Sequence, residues 1–200
     1  KRIEMKMNGW SKTILGFCIF LLAVVAFVPS LVAKSQDLQS RFGIGAYVLN
    51  RYQDNEIDLV TAKIKKVGAN WTREEFVWSS LEPSRGDWRW EIYDDKVDAL
   101  TDAGLNILGL LDYSAPWATG DASRADGDKY PPQISLWENY VREVVSRYEG
   151  RVTHWEIWNE PNSPIFFRPA PDAQKYFELL SVAYQTIKEI NPRAKVILGG

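Results

Sequence analysis

The sequence predicts an α/β fold in which parallel strands alternate with amphipathic helices. Three observations carry that prediction. Short apolar runs alternate with helical periodicity from Arg41 onward, glycines close successive helical stripes at Gly68, Gly104 and Gly150, and each strand-helix repeat takes roughly 40 residues. Repetition of this kind implies parallel strands joined by right-handed crossovers.

Phe42 to Leu49 reads as the first strand. Asp54 is a helix N-cap, and Ile57, Val60, Ile64 and Val67 give a stripe that stops at Gly68. Trp71 to Trp78 reads as the second strand, and a helix runs from about Ile92 to Ala103. Leu105 to Leu111 is the third strand. Ile134, Trp137, Val141, Val144, Val145 and Tyr148 form the next stripe, closed by Gly150. A fourth strand starts at Val152. Pro171-Asp172 opens a helix that runs to Asn191-Pro192, and Ala194 to Leu198 is a fifth strand.

Eight such units need roughly 300 residues, which is the size of a TIM (β/α)8 barrel. The 200 residues hold four complete units and the start of a fifth. The expectation is therefore the N-terminal half of a barrel, strands 1 to 5, in place of a complete doubly wound sheet. A lone remnant of this kind has two raw parallel edges, which folded proteins avoid.

The N-terminus reads differently. Lys1, Arg2, Lys6 and Lys12 precede an apolar run from Ile14 to Val28, and Pro29-Ser30-Leu31-Val32-Ala33 follows. A basic region, a short apolar core and a small residue ahead of a polar segment predict a secretory signal. The run is shorter than the roughly 20 apolar residues of a spanning helix. The expected organisation is a signal peptide or signal anchor over 1–33, a linker over 34–40 and a catalytic domain over 41–200. The location is then secreted or cell-surface, with membrane anchoring through residues 13–33 where the signal is not cleaved.

Composition narrows the function. Of the residues, 46% are hydrophobic and 13% aromatic, enough for a sizeable core. Without residues 1–33, 20 basic and 25 acidic residues remain, a net of −5 with no basic stripe, which argues against nucleic acid. Cys18 lies in the apolar segment, so the exported part has neither a disulfide framework nor a thiol nucleophile. A single histidine and no cysteine there argue against zinc. No metal or organic cofactor is expected.

The most informative stretch is His154-Trp155-Glu156-Ile157-Trp158-Asn159-Glu160-Pro161-Asn162, a carboxylate where a buried strand runs out into a loop. Pro161 biases Glu160 toward extended backbone. An Asn-Glu-Pro at a strand end resembles the acid/base motif of the clan A glycoside hydrolases, the retaining barrel glycosidases. Within the clan the stretch looks most like family 39, the β-xylosidases and relatives, with families 5 and 10 close. On the second strand, Arg73 with Trp78 and Pro83 is similar to a signature of several clan A families. The strand departs from family 39 in lacking a His near Phe76.

The resemblance implies retaining hydrolysis of β-linked oligo- or polysaccharides. Glu160 is then the general acid/base, Asn159 bonds the hydroxyl beside the anomeric carbon, and Arg73 points into the barrel beside the nucleophile. That nucleophile comes from the seventh strand of the clan, beyond Gly200, so the chain alone is expected to be inactive. Glu156 shares the face of Glu160 but lies about 13 Å down the strand, against the roughly 5–5.5 Å a retaining pair needs. It reads as a lower-layer polar residue satisfied by neighbours. Tyr113, Trp117 and Trp158 are candidate sugar platforms, although most large aromatics are core. Glu75 shares the face of Arg73, and a surface pair with Glu74 or Glu75 is the bland alternative for that arginine. Asn70-Trp71-Thr72 matches a glycosylation sequon but enters a buried strand. Two rival classes remain, a catalytically inactive barrel that binds glycans and a membrane-tethered scaffold.

Overall fold

The structure is a computed structural model that describes residues 42–124 and 126–200. The expected signal segment and linker lie outside the described residues, as does residue 125. Five parallel strands form one sheet in sequence order. They are β1 (Gly43–Ile44), β2 (Trp71–Val77), β3 (Asn106–Asp112), β4 (His154–Ile157) and β5 (Lys195–Leu198). The helices between them are α1 (Val48–Arg51), α2 (Ile57–Lys66), α3 (Trp78–Leu81), α4 (Asp94–Asp102), α5 (Ile134–Arg147) and α6 (Ala173–Ile190). Consecutive order without a switch is the topology of an unrolled barrel segment, a partial (β/α)8 barrel.

The helix ends follow the glycine punctuation. Gly68, Gly104 and Gly150 adopt φ of 82°, 73° and 81°, the left-handed turn that ends a helix at no steric cost. α6 starts where Asp172 accepts the Lys175 amide at 2.9 Å.

The first predicted strand is corrected. Only Gly43–Ile44 pair with β2. Tyr47 turns to φ 52° and Val48–Arg51 coil into α1. Val48 and Leu49 are both buried, so a short apolar run that read as strand is the buried turn of a helix.

Alternation sorts the strands into two faces. On the outer face, Phe76 of β2, Ile107 and Leu111 of β3, and Trp155 and Ile157 of β4 are buried under the helices. Val60 and Ile64 of α2, Val97 and Leu100 of α4, Trp137, Tyr140 and Val144 of α5, and Leu179, Ala183 and Ile187 of α6 meet them. Gly109 makes room here, because a Cβ would stand 2.6 Å from the Trp155 ring. Trp155 therefore lies across β3 against Phe76, with ring centroids 5.4 Å apart. The opposite, inner face carries Arg73, Glu75 and Glu156, and its upper end is where the site forms.

Candidate active site

The centre of the site is the Arg73 guanidinium. It grips Glu156 bidentately, Nε to Oε2 at 2.7 Å and Nη2 to Oε1 at 2.9 Å. Nη2 also donates to Asn159 Oδ1 at 3.0 Å, and Nη1 to the Tyr47 hydroxyl at 2.8 Å. A planar fork with every arm engaged has one orientation. The bond to Glu156 raises the pKa of Arg73 against the opposing effect of burial, so the charge is permanent. The expected alternative, a surface pair with Glu74 or Glu75, is not what forms: register places Arg73 opposite Leu108, and Leu108 opposite His154, one step below Glu156 on the same face.

Asn159 links that network to Tyr113, its Nδ2 donating to the Tyr113 hydroxyl at 2.8 Å. One amide hydrogen and one lone pair stay available on its side chain. Tyr113 lies flat on Phe166, centroids 6.0 Å apart and 7° between planes. Its other neighbours are Lys129, whose Nζ stands 3.2 Å from the ring centroid, and Trp158, which meets it edge to face at 5.5 Å. Burial drives the Tyr113 hydroxyl pKa up, so the group stays a neutral phenol.

Glu160 follows at once. Its side chain is exposed, and its carboxylate has no hydrogen bond or ion pair among the described residues. The backbone holds it instead, its amide donating to Gly200 O at 3.2 Å and its carbonyl accepting the Ser163 amide at 3.0 Å. The extended backbone expected from Pro161 is not adopted. β4 ends at Ile157, and both Trp158 (φ 64°) and Glu160 (φ 48°) take left-handed conformations that L-residues rarely adopt. Such outliers persist only where surrounding structure over-determines them, and they cluster at functional sites.

The positive φ at Trp158 explains a second difference. Expected to face a sugar, Trp158 is fully buried, packs on Trp137 and Phe167, and donates its indole N–H to Phe166 O at 2.9 Å. It supports Tyr113 from beneath and has no surface to offer a ligand. Trp117 stands apart from the Arg73 network as well. Its indole donates to Glu82 O at 2.9 Å, and with Trp88, Arg85 and Asn139 it lines a separate hollow of about 400 Å³. Glu82 organises that hollow, accepting from the Trp78 indole and the Gly86 amide. His154, at the start of β4, packs edge to face on Trp71 with ring centroids 4.6 Å apart.

Three residues of the mouth escaped the sequence reading. Tyr47 was hidden in the run assigned to the first strand. Lys129 sits in the loop after β3. Asp112 ends β3 on the inner face, wholly buried, with neither oxygen bonded among the described residues. Burial, and then the charge of Glu75, hold its pKa well above the carboxylate range. Glu75 is half-buried, and desolvation raises it too. The available signal was position alone, since barrel sites gather at the C-terminal ends of strands. Among the described residues, no group of three or more His, Cys, Asp or Glu could hold a metal ion.

The fold and its relatives are those of the clan A glycoside hydrolases. The comparisons place the chain more finely. Residues 90–200 match the model of Glycosyl hydrolases family 39, and residues 46–111 match a Beta-galactosidase family. The chain belongs to glycosyl hydrolase family 39. It is 27% identical to a thermostable celloxylanase of Thermoclostridium stercorarium, over 81% of this chain and 45% of that protein. It is 29% identical to a β-xylosidase of Geobacillus stearothermophilus, over 50% of this chain and 23% of that protein. A family 39 glycoside hydrolase from Bacteroides cellulosilyticus superposes with a TM-score of 0.61 at 26% identity, over 80% of this chain and 31% of that one. The chain thus spans less than half the length of these relatives.

Proposed function

We propose that the chain carries the first five strands of a retaining glycosidase acting on β-linked oligo- or polysaccharides, with Glu160 as general acid/base. The observation that carries this reading is Glu160, exposed and without a side-chain partner among the described residues, beside an Asn159 whose amide is fixed on both sides by Arg73 and Tyr113. In the first step Glu160 protonates the departing glycosidic oxygen. In the second, as carboxylate, it takes a proton from the water that attacks the glycosyl-enzyme. The free hydrogen and lone pair of Asn159 suit a sugar hydroxyl beside the anomeric carbon, and a bond there that tightens in the transition state lowers the barrier. The flat face of Tyr113 is a candidate wall for the sugar ring.

The nucleophile is a carboxylate of the seventh strand, beyond Gly200. Glu156 is unsuited to that role, because it is buried within β4, below the strand end where Glu160 stands. Similarity to a celloxylanase and a β-xylosidase makes β-xylosides and β-glucosides the substrates to try first. The basic and apolar N-terminal segment supports export, with retention at the membrane where it is not cleaved.

The test compares Glu160→Gln with wild type in the full-length enzyme. General acid-base help is worth about 10²–10⁴-fold. A loss of that size on natural xylo-oligosaccharides is expected, with a much smaller loss of the glycosylation rate on dinitrophenyl β-glycosides, whose leaving group needs no proton. Equal losses on both substrates would contradict the assignment. Glycan binding with no hydrolysis of either substrate by wild type would identify an inactive barrel instead.

A further inference from the structure

The outer face of β2 carries Thr72, Glu74 and Phe76, all buried, and Glu74 is its one ionisable group. Its carboxylate accepts the Leu49 amide at 3.0 Å and the Thr72 hydroxyl. It forms no ion pair among the described residues. A buried, unpaired carboxylate is costly, whereas an aliphatic side chain at such a position packs without that penalty. The partner it binds gives it a use. Leu49 belongs to α1, whose preceding residue is the left-handed Tyr47, and Tyr47 supplies the hydroxyl that fixes Arg73 Nη1.

We infer that Glu74 is a positioning residue for the mouth, its carboxylate holding the α1 turn where Tyr47 can fix Arg73 against Glu156 and Asn159. The path is short and fully bonded, from Glu74 to the Leu49 amide, through two residues of turn to Tyr47, and on to Arg73. Other restraints act on the far side of the turn. Asn50 Nδ2 donates to Glu75 O at 2.8 Å and Tyr93 donates to Asn50 Oδ1 at 2.5 Å. Lys96 caps Leu49 O and Tyr52 O from α4, at 3.1 and 3.0 Å, and lies 3.7 Å from Asp54. These leave the N-terminal amides of α1 to Glu74.

The hold titrates. Burial pushes the Glu74 pKa up to about 7, against the Thr72 hydroxyl and the Leu49 and Val48 amides that favour the charged form. The charged group that acts on it is Glu75 on its own strand, which raises it further, while Lys96 on α4 and Tyr93 ahead of that helix reach the same turn through Leu49 O and Asn50. Below the midpoint the Leu49 amide loses a charge-assisted acceptor and the hold on Tyr47 weakens. The consequence for catalysis rests on the glycosidase reading; the positional claim does not.

The test is a pH titration by NMR of the full chain, with glutamate labelled at the carboxyl carbon and tyrosine at the ring. One glutamate signal is expected to titrate near pH 7 and to vanish in Glu74→Gln. The Tyr47 ring signal, assigned by its loss in Tyr47→Phe, is expected to follow the same midpoint in wild type and to stay flat in Glu74→Gln. In Glu74→Leu, which fills the space with no acceptor, the Tyr47 signal is expected to be displaced at every pH. A Tyr47 signal unmoved through the Glu74 transition, or unmoved in Glu74→Leu, would overturn the inference. Neither readout needs turnover, so a failed glycosidase reading would show in the assays above and leave these spectra unchanged.

Discussion

The two faces of the same sheet are built on opposite principles. Under the helices, Phe76, Leu111, Trp155 and Ile157 make an interlocked apolar layer held mainly by dispersion and excluded water. On the inner face at the carboxyl mouth, Arg73, Glu156, Asn159, Tyr47 and Tyr113 make a chain of directed bonds around a fixed charge. The outer face decides whether the protein folds. The inner face decides what a bound sugar would meet. Two carboxyl groups blur that division, Glu74 inside the apolar layer and Asp112 sealed at the mouth.

The largest expected effect falls on the outer face. Trp155→Ala should cost about 3–5 kcal/mol in denaturant unfolding, because the ring fills the groove that Gly109 leaves open. Next comes the network. Arg73→Leu leaves Glu156, nearly inaccessible, without its partner, and a loss of about 3 kcal/mol is expected, the low end for a broken buried pair because the arginine is partly exposed. A loss under about 0.5 kcal/mol would mean the pair is worth no more than a surface one.

These expectations depend on register, and register explains how much of the molecule could be read from sequence. Strands two to five were legible because short runs sit between helical stripes whose ends are marked by glycine or, before the fifth, by Asn191-Pro192. The first strand was overextended because Val48 and Leu49 are apolar in either state, and nothing in the run announces the left-handed turn at Tyr47. Alternation placed Glu156 in a polar lower layer but could not name Arg73 as its partner, since that contact crosses β3. Extending the alternation past Ile157 gave Trp158 an outlook it lacks. The chain leaves the strand there, and the positive φ turns the indole into the core.

Asp112 offers a sharper contrast of smaller size. Its pKa and that of Glu74 are raised on folding, so between about pH 4 and 7 the folded state binds more protons than the unfolded one. Stability should therefore fall as pH rises through that window. Asp112→Asn should remove one share of the slope, up to about 1.4 kcal/mol per pH unit, measured as melting temperature against pH. An unchanged slope would mean Asp112 ionises normally. The smallest effect belongs to Tyr113→Phe, which deletes the bond to Asn159 for about 0.5–1.5 kcal/mol and should lower activity more than stability.

The central claim is that Glu160 is the proton-transferring carboxyl of a retaining site. The most direct measurement is azide rescue of Glu160→Ala in the full-length enzyme, with a dinitrophenyl β-xyloside as substrate and the product's anomeric configuration read by NMR. Azide attacks the glycosyl-enzyme without needing a base, so the account predicts restored turnover and a β-xylosyl azide. No rescue, or an α-configured azide, would contradict it.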